Sequence, residues 1–543
     1  MRTGRLWRGA AAAPDLLVIA GWWALICTIG FWRKDFCGDG VRHLPAILES
    51  AYPHLGEPRW LFLPALLFIV LRPAVALGLV HDVEGLTRLM MAATVVAAGV
   101  YLLAVRACLA ARGIAPGRRA VALAVAGGSA GLLVSATDLM EPIFGAMLVA
   151  VGLAVAARRA SAPGASADDC GRALLSATAA IAAATLLYQG LLLGLGLVPL
   201  VVPGRTLRDR RALAQAALIL AAVPLVMVGA LSASGNSIGR AVARSVLAEE
   251  NPLYRSYLGK PGFTPYLVAL AAGPPLGVVT LGQHRGFRGV LADLHTTATR
   301  WPALLLLARL GFAMAVLAAG VIAAWRRRDW PLLWSLFALL VLPVMFRPQL
   351  HGYIKFYVLL PIVLAFGAAR ASPAAAAAVA ALLLALNAGP LLASLPAQQR
   401  FYGDRVEAYA RADAHSCWLT TGWVPTFSFR WPGAVCPILG SLAKGSGEDV
   451  ERVTAAGRAA LTACLEDCFC RSSAVFTDDM TESARPLVAD SARHFGYTAV
   501  DLQAVVLPVQ RARLASRAGS TLPVYQYPPD EQRRRCELMP RHR

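Results

Sequence analysis

The sequence predicts an all-α polytopic membrane bundle of about 11 transmembrane helices, followed by a small extracytoplasmic α/β domain. Three observations predict it. Of 543 residues, 57% are hydrophobic and only 15% charged, against roughly 25% charged in a soluble domain. The apolar residues come in long unbroken runs, near the ~20 residues that a spanning helix needs, and not in the alternation of a membrane β-barrel. Basic residues fall mainly between those runs. A mean hydropathy of +0.56 agrees. Together these features exclude a disordered chain, a fibrous repeat and an ordinary soluble enzyme.

The formal net charge is +20, and it is unevenly spread. Residues 1–396 hold 34 Lys/Arg against 16 Asp/Glu, whereas residues 397–543 hold 18 against 16. The excess fits the enrichment of cations in short cytoplasmic loops. No basic stripe interleaved with aromatics points to nucleic acid.

Arg2, Arg5 and Arg8 place the start in the cytoplasm, and the first apolar run lacks a small-residue cleavage site, so it reads as an anchor. Span one is Pro14–Trp32 and leads to an outer loop. Trp60–Val80 is apolar but interrupted by Arg72-Pro73, and a crossing there would put the basic Arg106–Arg119 loop outside; it reads as interfacial or re-entrant. Span two is Leu86–Val105, span three Ala120–Thr137 and span four Pro142–Ala157. The apolar residues between Gly171 and Gly204 fit two short spans, five and six, with a turn at Tyr188-Gln189-Gly190. Span seven is Ala212–Leu231, and a long outer loop containing the Gly/Pro-broken stretch Thr264–Leu281 follows. Spans eight to eleven are Pro302–Ala324, Trp330–Phe346, Tyr357–Ala369 and Pro373–Leu395. Eleven crossings divide the chain into a transmembrane domain, 1–396, and an outer soluble domain, 397–543.

That outer domain has mixed charge, Gly/Pro punctuation and short apolar runs, which suit a small α/β fold. It carries six of the ten cysteines: Cys417, Cys436, Cys464, Cys468, Cys470 and Cys536. An even set outside the cytosol suggests disulfides, with fifteen pairings open. Cys464, Cys468 and Cys470 could instead hold a metal, but they lack the usual two-pair spacing.

Three constellations could carry chemistry. The first outer loop holds Asp35, Asp39 and His43, with Gly38 and Gly40 beside Asp39 to permit tight backbone geometry. A carboxylate partly desolvated at a membrane surface can act as a general base; the plain alternative is a solvated loop. Asp138 and Glu141 stand at the outer end of span three. Acids at a membrane boundary are costly against lipid, so they point to a cleft or a partner cation, unless they only form a short turn. Arg347, His351 and Lys355 lie in an outer turn, where cations are disfavoured and where a phosphate would suit them; anchoring to headgroups is the alternative. Tyr188 and Gln189 could add hydrogen bonds to the same cleft. No Walker loop, GxSxG, HExxH or dinucleotide fingerprint occurs in a supporting context.

Residues 1–396 resemble the GT-C superfamily of integral-membrane glycosyltransferases, which use polyprenyl-phosphate sugars. The likeness rests on the acidic first outer loop (Asp35, Asp39), the juxtamembrane Trp60–Val80, the polar tip Tyr188-Gln189 and the outer turn Arg347–Lys355. Many members carry two adjacent acids; here they are four residues apart, which leaves the base and any divalent metal open. The resemblance implies inverting transfer at the outer face, with Asp39 first and Asp35 second as base, His43 orienting, and Lys355, Arg347 and His351 on the leaving phosphate. The implied partners are a polyprenyl-phosphate sugar donor, a glycan, lipid or protein acceptor, and the lipid bilayer.

Two other readings stay open. A secondary transporter or lipid flippase would carry ionisable groups near the midplane and internal repeats; the acids here gather at the outer boundary. A noncatalytic assembly factor would use the outer domain to hold a partner. Heavy Ala, Gly and Arg usage suits a GC-rich bacterial genome, so the expected location is a bacterial inner membrane with a cytoplasmic N-terminus and a periplasmic tail.

Overall fold

The computed structural model describes residues 14–33, 43–53, 55, 61–139, 142–233, 273–280, 300–342, 357–420, 433–437, 450–478 and 524–538. The chain divides into two compact units, the larger formed mainly by residues before Ser394 and the smaller mainly by Ser394–Arg543.

The chain up to Arg411 is helical, and its last helix, Pro373–Arg411, continues past Ser394 into the smaller unit. In chain order its helices are α1 (Pro14–Trp32), α2 (Leu44–Glu49), α3 (Leu63–Ala76), α4 (Val83–Ala111), α5 (Pro116–Gly128), α6 (Ala130–Thr137), α7 (Pro142–Ala160), α8 (Ala167–Leu187), α9 (Val198–Val201), α10 (Arg210–Ala233), α11 (Arg300–Arg326), α12 (Trp330–Leu340), α13 (Leu360–Arg370) and α14 (Pro373–Arg411). Among the described residues, seven helices are long and apolar enough to cross a membrane: α1, α4, α7, α8, α10, the Leu304–Arg326 part of α11 and the Pro373–Pro396 part of α14.

The other four expected crossings take different forms. Span three is broken into α5 and α6, which meet at 62°; the break falls at Ser129, whose extended φ −69°, ψ 143° ends one helix and starts the next. The second arm of the expected five–six hairpin is a 3₁₀ stretch, Gln189–Leu197, running into the single turn α9. Spans nine and ten contain the 11-residue helices α12 and α13, each about 16 Å long at 1.5 Å per residue. The described helices therefore give seven spans by length and composition, or eight with the bent pair, against the eleven expected.

Polar contacts fix the direction of threading. Asp15 at the start of α1 accepts from Arg106 Nε near the end of α4 (2.9 Å) and from Arg119 Nε in the first turn of α5 (2.7 Å). Trp23 Nε1 donates to the Val95 carbonyl halfway along. So α1 and α4 are antiparallel, and the chain between them makes no net crossing. α3, at 14 residues, is not among the described helices long enough to cross. Arg72, the cation within that apolar helix, donates to the Ile47 and Leu48 carbonyls at the end of α2 (2.9 and 2.6 Å), which gives its charge a polar partner inside an apolar segment. α7 and α8 form an antiparallel hairpin: Gly145 packs against Ala184 and Gly152 against Ala180, while Arg159 donates to Ser176. Arg106, Arg119 and Arg159 thus mark one end of the bundle.

The break between α5 and α6 is the structural centre of the unit. Breaking a helix frees backbone groups that lipid cannot satisfy, and here they meet protein. Trp22 Nε1 donates to the Gly127 carbonyl at 2.7 Å. Asn387 of α14 donates from Nδ2 to Gly128 O (2.7 Å) and Val278 O (2.8 Å), and its Oδ1 accepts from Thr280 N (3.0 Å). Ala130 N and Gly131 N then donate to Val278 O and Gly277 O. Gly131 has to be glycine, since a Cβ there would stand 2.5 Å from the Tyr357 carbonyl oxygen. Of the apolar stretch Thr264–Leu281, residues 273–280 are the described part, and they lie docked on this break.

In the smaller unit, β1 (Cys417–Thr420), β2 (Ala434–Pro437), α15 (Val450–Glu466), β3 (Val475–Asp478), β4 (Val524–Gln526) and α16 (Pro529–Leu538) make an α/β arrangement. Its four-stranded sheet has the order β2-β1-β3-β4. β1 pairs in parallel with β2 and β3, and β4 is antiparallel to β3. A one-turn π-helix, Asp467–Arg471, follows α15. Three disulfides staple these parts: Cys417–Cys468 joins β1 to the π-turn, Cys436–Cys464 joins β2 to α15, and Cys470–Cys536 joins the π-turn to α16. Every cysteine of the tail is therefore oxidised, and the metal alternative for Cys464, Cys468 and Cys470 is corrected: their sulfurs are spent in disulfides.

Arg535 is buried, 2% exposed, although no sequence pattern marks it as interior. It pairs with Glu531 at 2.7 Å and stacks over Phe469 and Tyr527 at 5.9 and 5.2 Å. Burial pushes the Tyr527 hydroxyl up to about 12.

Candidate functional site

The described candidate residues stand at helix ends on the side of the bundle opposite the arginines. α6 runs toward that end and α7 starts from it, so Asp138 and Leu139 lead into the corner between them. Asp138 caps α6 with φ −122°, ψ 20° and has no exposed surface. Leu139 follows with φ +52°, a left-handed conformation in which the Cβ of a bulky residue crowds the backbone. Such a residue costs on the order of 1–3 kcal/mol and persists only where its surroundings over-determine it. Burial of Leu139 provides that constraint. Thr137, one residue earlier, is also buried and spends its hydroxyl on the Leu133 carbonyl at 2.9 Å.

Tyr188 ends α8 at the same end. Its backbone is extended, φ −151°, ψ 112°, its N–H still donates to Ala184 O, and its side chain is buried. Gln189 is half-buried and opens the 3₁₀ stretch. The tight 3₁₀ winding lets an apolar segment turn back without a conventional helix–helix loop. Phe62 N donates to Leu186 O at 3.3 Å, which ties the entry of α3 to the exit of α8. Leu61, Ala182, Val223, Met227 and Leu231 pack around that tie. His43 stands just before α2 as its N-terminal cap residue, φ −85°, ψ −16°, and is half-buried.

Asp35, Asp39, Glu141, Arg347, His351 and Lys355 lie outside the described residues. The structure thus describes four of the ten candidates: His43, Asp138, Tyr188 and Gln189. It gives Asp138 and Tyr188 buried positions at helix ends. Among the described residues, no group of three His, Cys, Asp or Glu side chains is arranged to hold a metal ion.

Two polar groups with clear structural work escaped the sequence reading, Asp15 and Asn387. Asp15 is the one charged residue of α1 and Asn387 the one amide of the Pro373–Leu395 span, and that is the signal: a strongly polar group in lipid requires a partner. The partners themselves, 91 and 104 residues away for Asp15 and 259 residues away for Asn387, carry no such signal.

No family model matches the chain, and no curated protein matches it. Among solved structures, the chain is similar to ArnT from Cupriavidus metallidurans. With the crystal structure bound to undecaprenyl phosphate the identity is 14%, and with the apo-state structure 12%; in both the TM-score is 0.41, with 95% of this chain and 98% of that chain covered.

Proposed function

We propose that the protein is a membrane glycosyltransferase that moves a sugar from a polyprenyl-phosphate donor to an acceptor on the extracytoplasmic side. The observation that carries this reading is the corner at Asp138-Leu139: a fully buried carboxylate followed by a left-handed leucine, at the end of the bundle opposite the arginines. Strain and a buried acid at one corner are features of a working site more than of a simple turn.

The disulfides support the side. Bonds of this kind persist in oxidising compartments such as the periplasm, and the chain passes from the last span through the remainder of α14 into the segment that holds them. A transferase acting there draws its sugar from a carrier that sits in the membrane, and a lipid phosphate is such a carrier. In this reading Asp39, or Asp35, removes the proton from the acceptor as it attacks the anomeric carbon. His43 orients that carboxylate. Arg347, His351 and Lys355 take up the charge of the departing polyprenyl phosphate, whose stabilisation is a large catalytic term. Asp138, Glu141, Tyr188 and Gln189 line the cleft.

A transporter is the second reading, favoured by the broken pair α5–α6. In transporters the freed carbonyls serve ions; here Gly127 and Gly128 spend theirs on Trp22 and Asn387, which favours the enzyme.

The test is sugar transfer from a synthetic polyprenyl-phosphate sugar in proteoliposomes. Asp39→Asn should reduce turnover by about 10²–10⁴-fold, the usual worth of general-base help, with donor binding retained. Lys355→Ala should chiefly raise the donor concentration needed. Full activity in both variants, or no transfer by the intact protein from any such donor, would sink the assignment.

A further inference from the structure

A cavity of about 610 Å³ opens among α8, the 3₁₀ stretch, α9, α10 and α12. Its wall is almost wholly apolar, with Leu174, Leu195, Leu213, Ala217, Leu220 and Trp334 as principal surfaces. Thr178 also lines it, but its hydroxyl is already spent on the Leu174 carbonyl. The cavity lies in the arginine-marked half of the bundle: Leu213 is in the first turn of α10 and Leu220 two turns deeper, Leu174 is in the first half of α8, and Trp334 is in the second turn of α12. From Leu213 to Leu220 the depth is about 10 Å at 1.5 Å per residue, which stays within one leaflet of a ~30 Å hydrocarbon core.

At the mouth of this groove the chain reads Arg205-Thr-Leu-Arg208-Asp-Arg210-Arg211, with Leu207 itself in the wall. All four arginines are exposed. Arg205 reaches the Cys170 sulfur at 3.9 Å. Arg208, Arg210 and Arg211 have no side-chain ion pair among the described residues, and the adjacent Asp209 carboxylate accepts from the Arg211 backbone N–H. A dry apolar groove within a leaflet is filled by hydrocarbon, because water gains nothing there. A cluster of four or more cations immediately beside a membrane helix binds anionic headgroups.

We infer that this groove is a binding site for an anionic phospholipid of the arginine-side leaflet, with an acyl chain between α8, α10 and α12 and the headgroup phosphate on Arg208 and Arg210. The volume falls within the ~300–1,000 Å³ of ordinary ligand pockets. The site is separate from the Asp138 corner, which belongs to the other end of the bundle, and it does not depend on the transferase reading. The positive charge of this loop alone would follow from membrane orientation; the apolar groove directly behind it is the added feature.

The test uses the full chain in detergent, titrated with phosphatidylglycerol and, separately, with phosphatidylcholine of the same chains. Binding is read by native mass spectrometry and by the shift in Tm. Phosphatidylglycerol should bind in preference, and Arg208→Ala/Arg210→Ala should erode that preference about fivefold per arginine removed. Ala217→Trp, at an exposed position of the wall, should block retention of both lipids while leaving the lipid-free Tm unchanged. Equal binding of the two lipids by the intact protein would overturn the headgroup assignment. Undiminished retention in Ala217→Trp would overturn the groove.

Discussion

Asn387 donates from one side-chain amide to the carbonyls of both Gly128 and Val278, at 2.7 and 2.8 Å, and so closes a helix break with a residue 259 positions away in sequence. Its own carbonyl completes the arrangement by accepting from Thr280 N. One side chain thereby joins α14, the end of α5 and the docked segment 273–280.

Replacing Asn387 with Leu should be strongly destabilising. It strips the side-chain partner from Gly128 O and Thr280 N, whereas Val278 O keeps Ala130 N; a backbone group left unpaired in the interior costs about 1–3 kcal/mol. Asn387→Asp should also fail, because a carboxylate cannot donate to Gly128 O and Val278 O. Thermal unfolding in detergent checks this. Both variants should melt well below the parent, whereas Leu218→Ala, at a position 72% exposed on the outside of α10, should leave Tm nearly unchanged.

Asp15 sits between Arg106 and Arg119 with no exposed side-chain surface, whereas the arginines are 27% and 12% exposed. Asp15→Asn keeps the shape and removes the charge that both guanidiniums face. Removing one partner from a buried ionic cluster costs about 3–5 kcal/mol, and the partial exposure of Arg106 puts the expected loss at the lower end. A triple replacement by apolar residues of similar volume should recover most of that loss. A recovered Tm in the triple variant, set against a depressed one in Asp15→Asn, separates the two effects.

The three disulfides predict that reduction in denaturant releases six additional titratable thiols from the tail. Cys470–Cys536 encloses the longest segment, a separation of 66 residues against 28 for Cys436–Cys464. A longer closed loop restricts the unfolded chain more. Removing Cys470–Cys536 should therefore cost more stability than removing Cys436–Cys464, within the roughly 2–5 kcal/mol typical of native disulfides. Proteolysis of the tail in paired Cys→Ser variants would rank them.

Tyr527 gives the tail an alkaline limit. Its folded pKa, pushed up to about 12 by burial, lies above the ordinary value of 10.0. The fold thus favours the neutral phenol. That preference is fully present below pH 10 and is lost as pH rises from about 10 to 12, where the unfolded chain ionises first. Tyr527→Phe should remove this dependence, seen as a flatter decline of tail stability over that range together with loss of one late-ionising phenolate in an absorbance titration. Asp413 acts in the opposite sense: hydrogen bonds from Ser473 and Ser416 hold its carboxyl below the usual value, so its contribution fades only as the solution is acidified through and below the ordinary carboxylate range.

The apolar runs by themselves determined the membrane bundle, the bounds of α1, and the switch to a cysteine-rich α/β tail, because hydrophobic length and charge are local quantities that each segment carries alone. The interfacial or re-entrant reading of Trp60–Val80 came from charge placement, which is equally local. What tertiary structure decided was whatever needs two distant segments. Span three breaks at Ser129 because Asn387, Trp22 and residues 273–280 are there to take up the freed backbone groups, and a hydropathy run contains no record of such partners. The arm after Tyr188 winds as a 3₁₀ helix against α12, where Gly196 packs tightly on Ala338 and accepts from Ser335. The choice of one disulfide pairing out of fifteen, and the burial of Arg535 between two rings, likewise depended on which strands came to lie side by side.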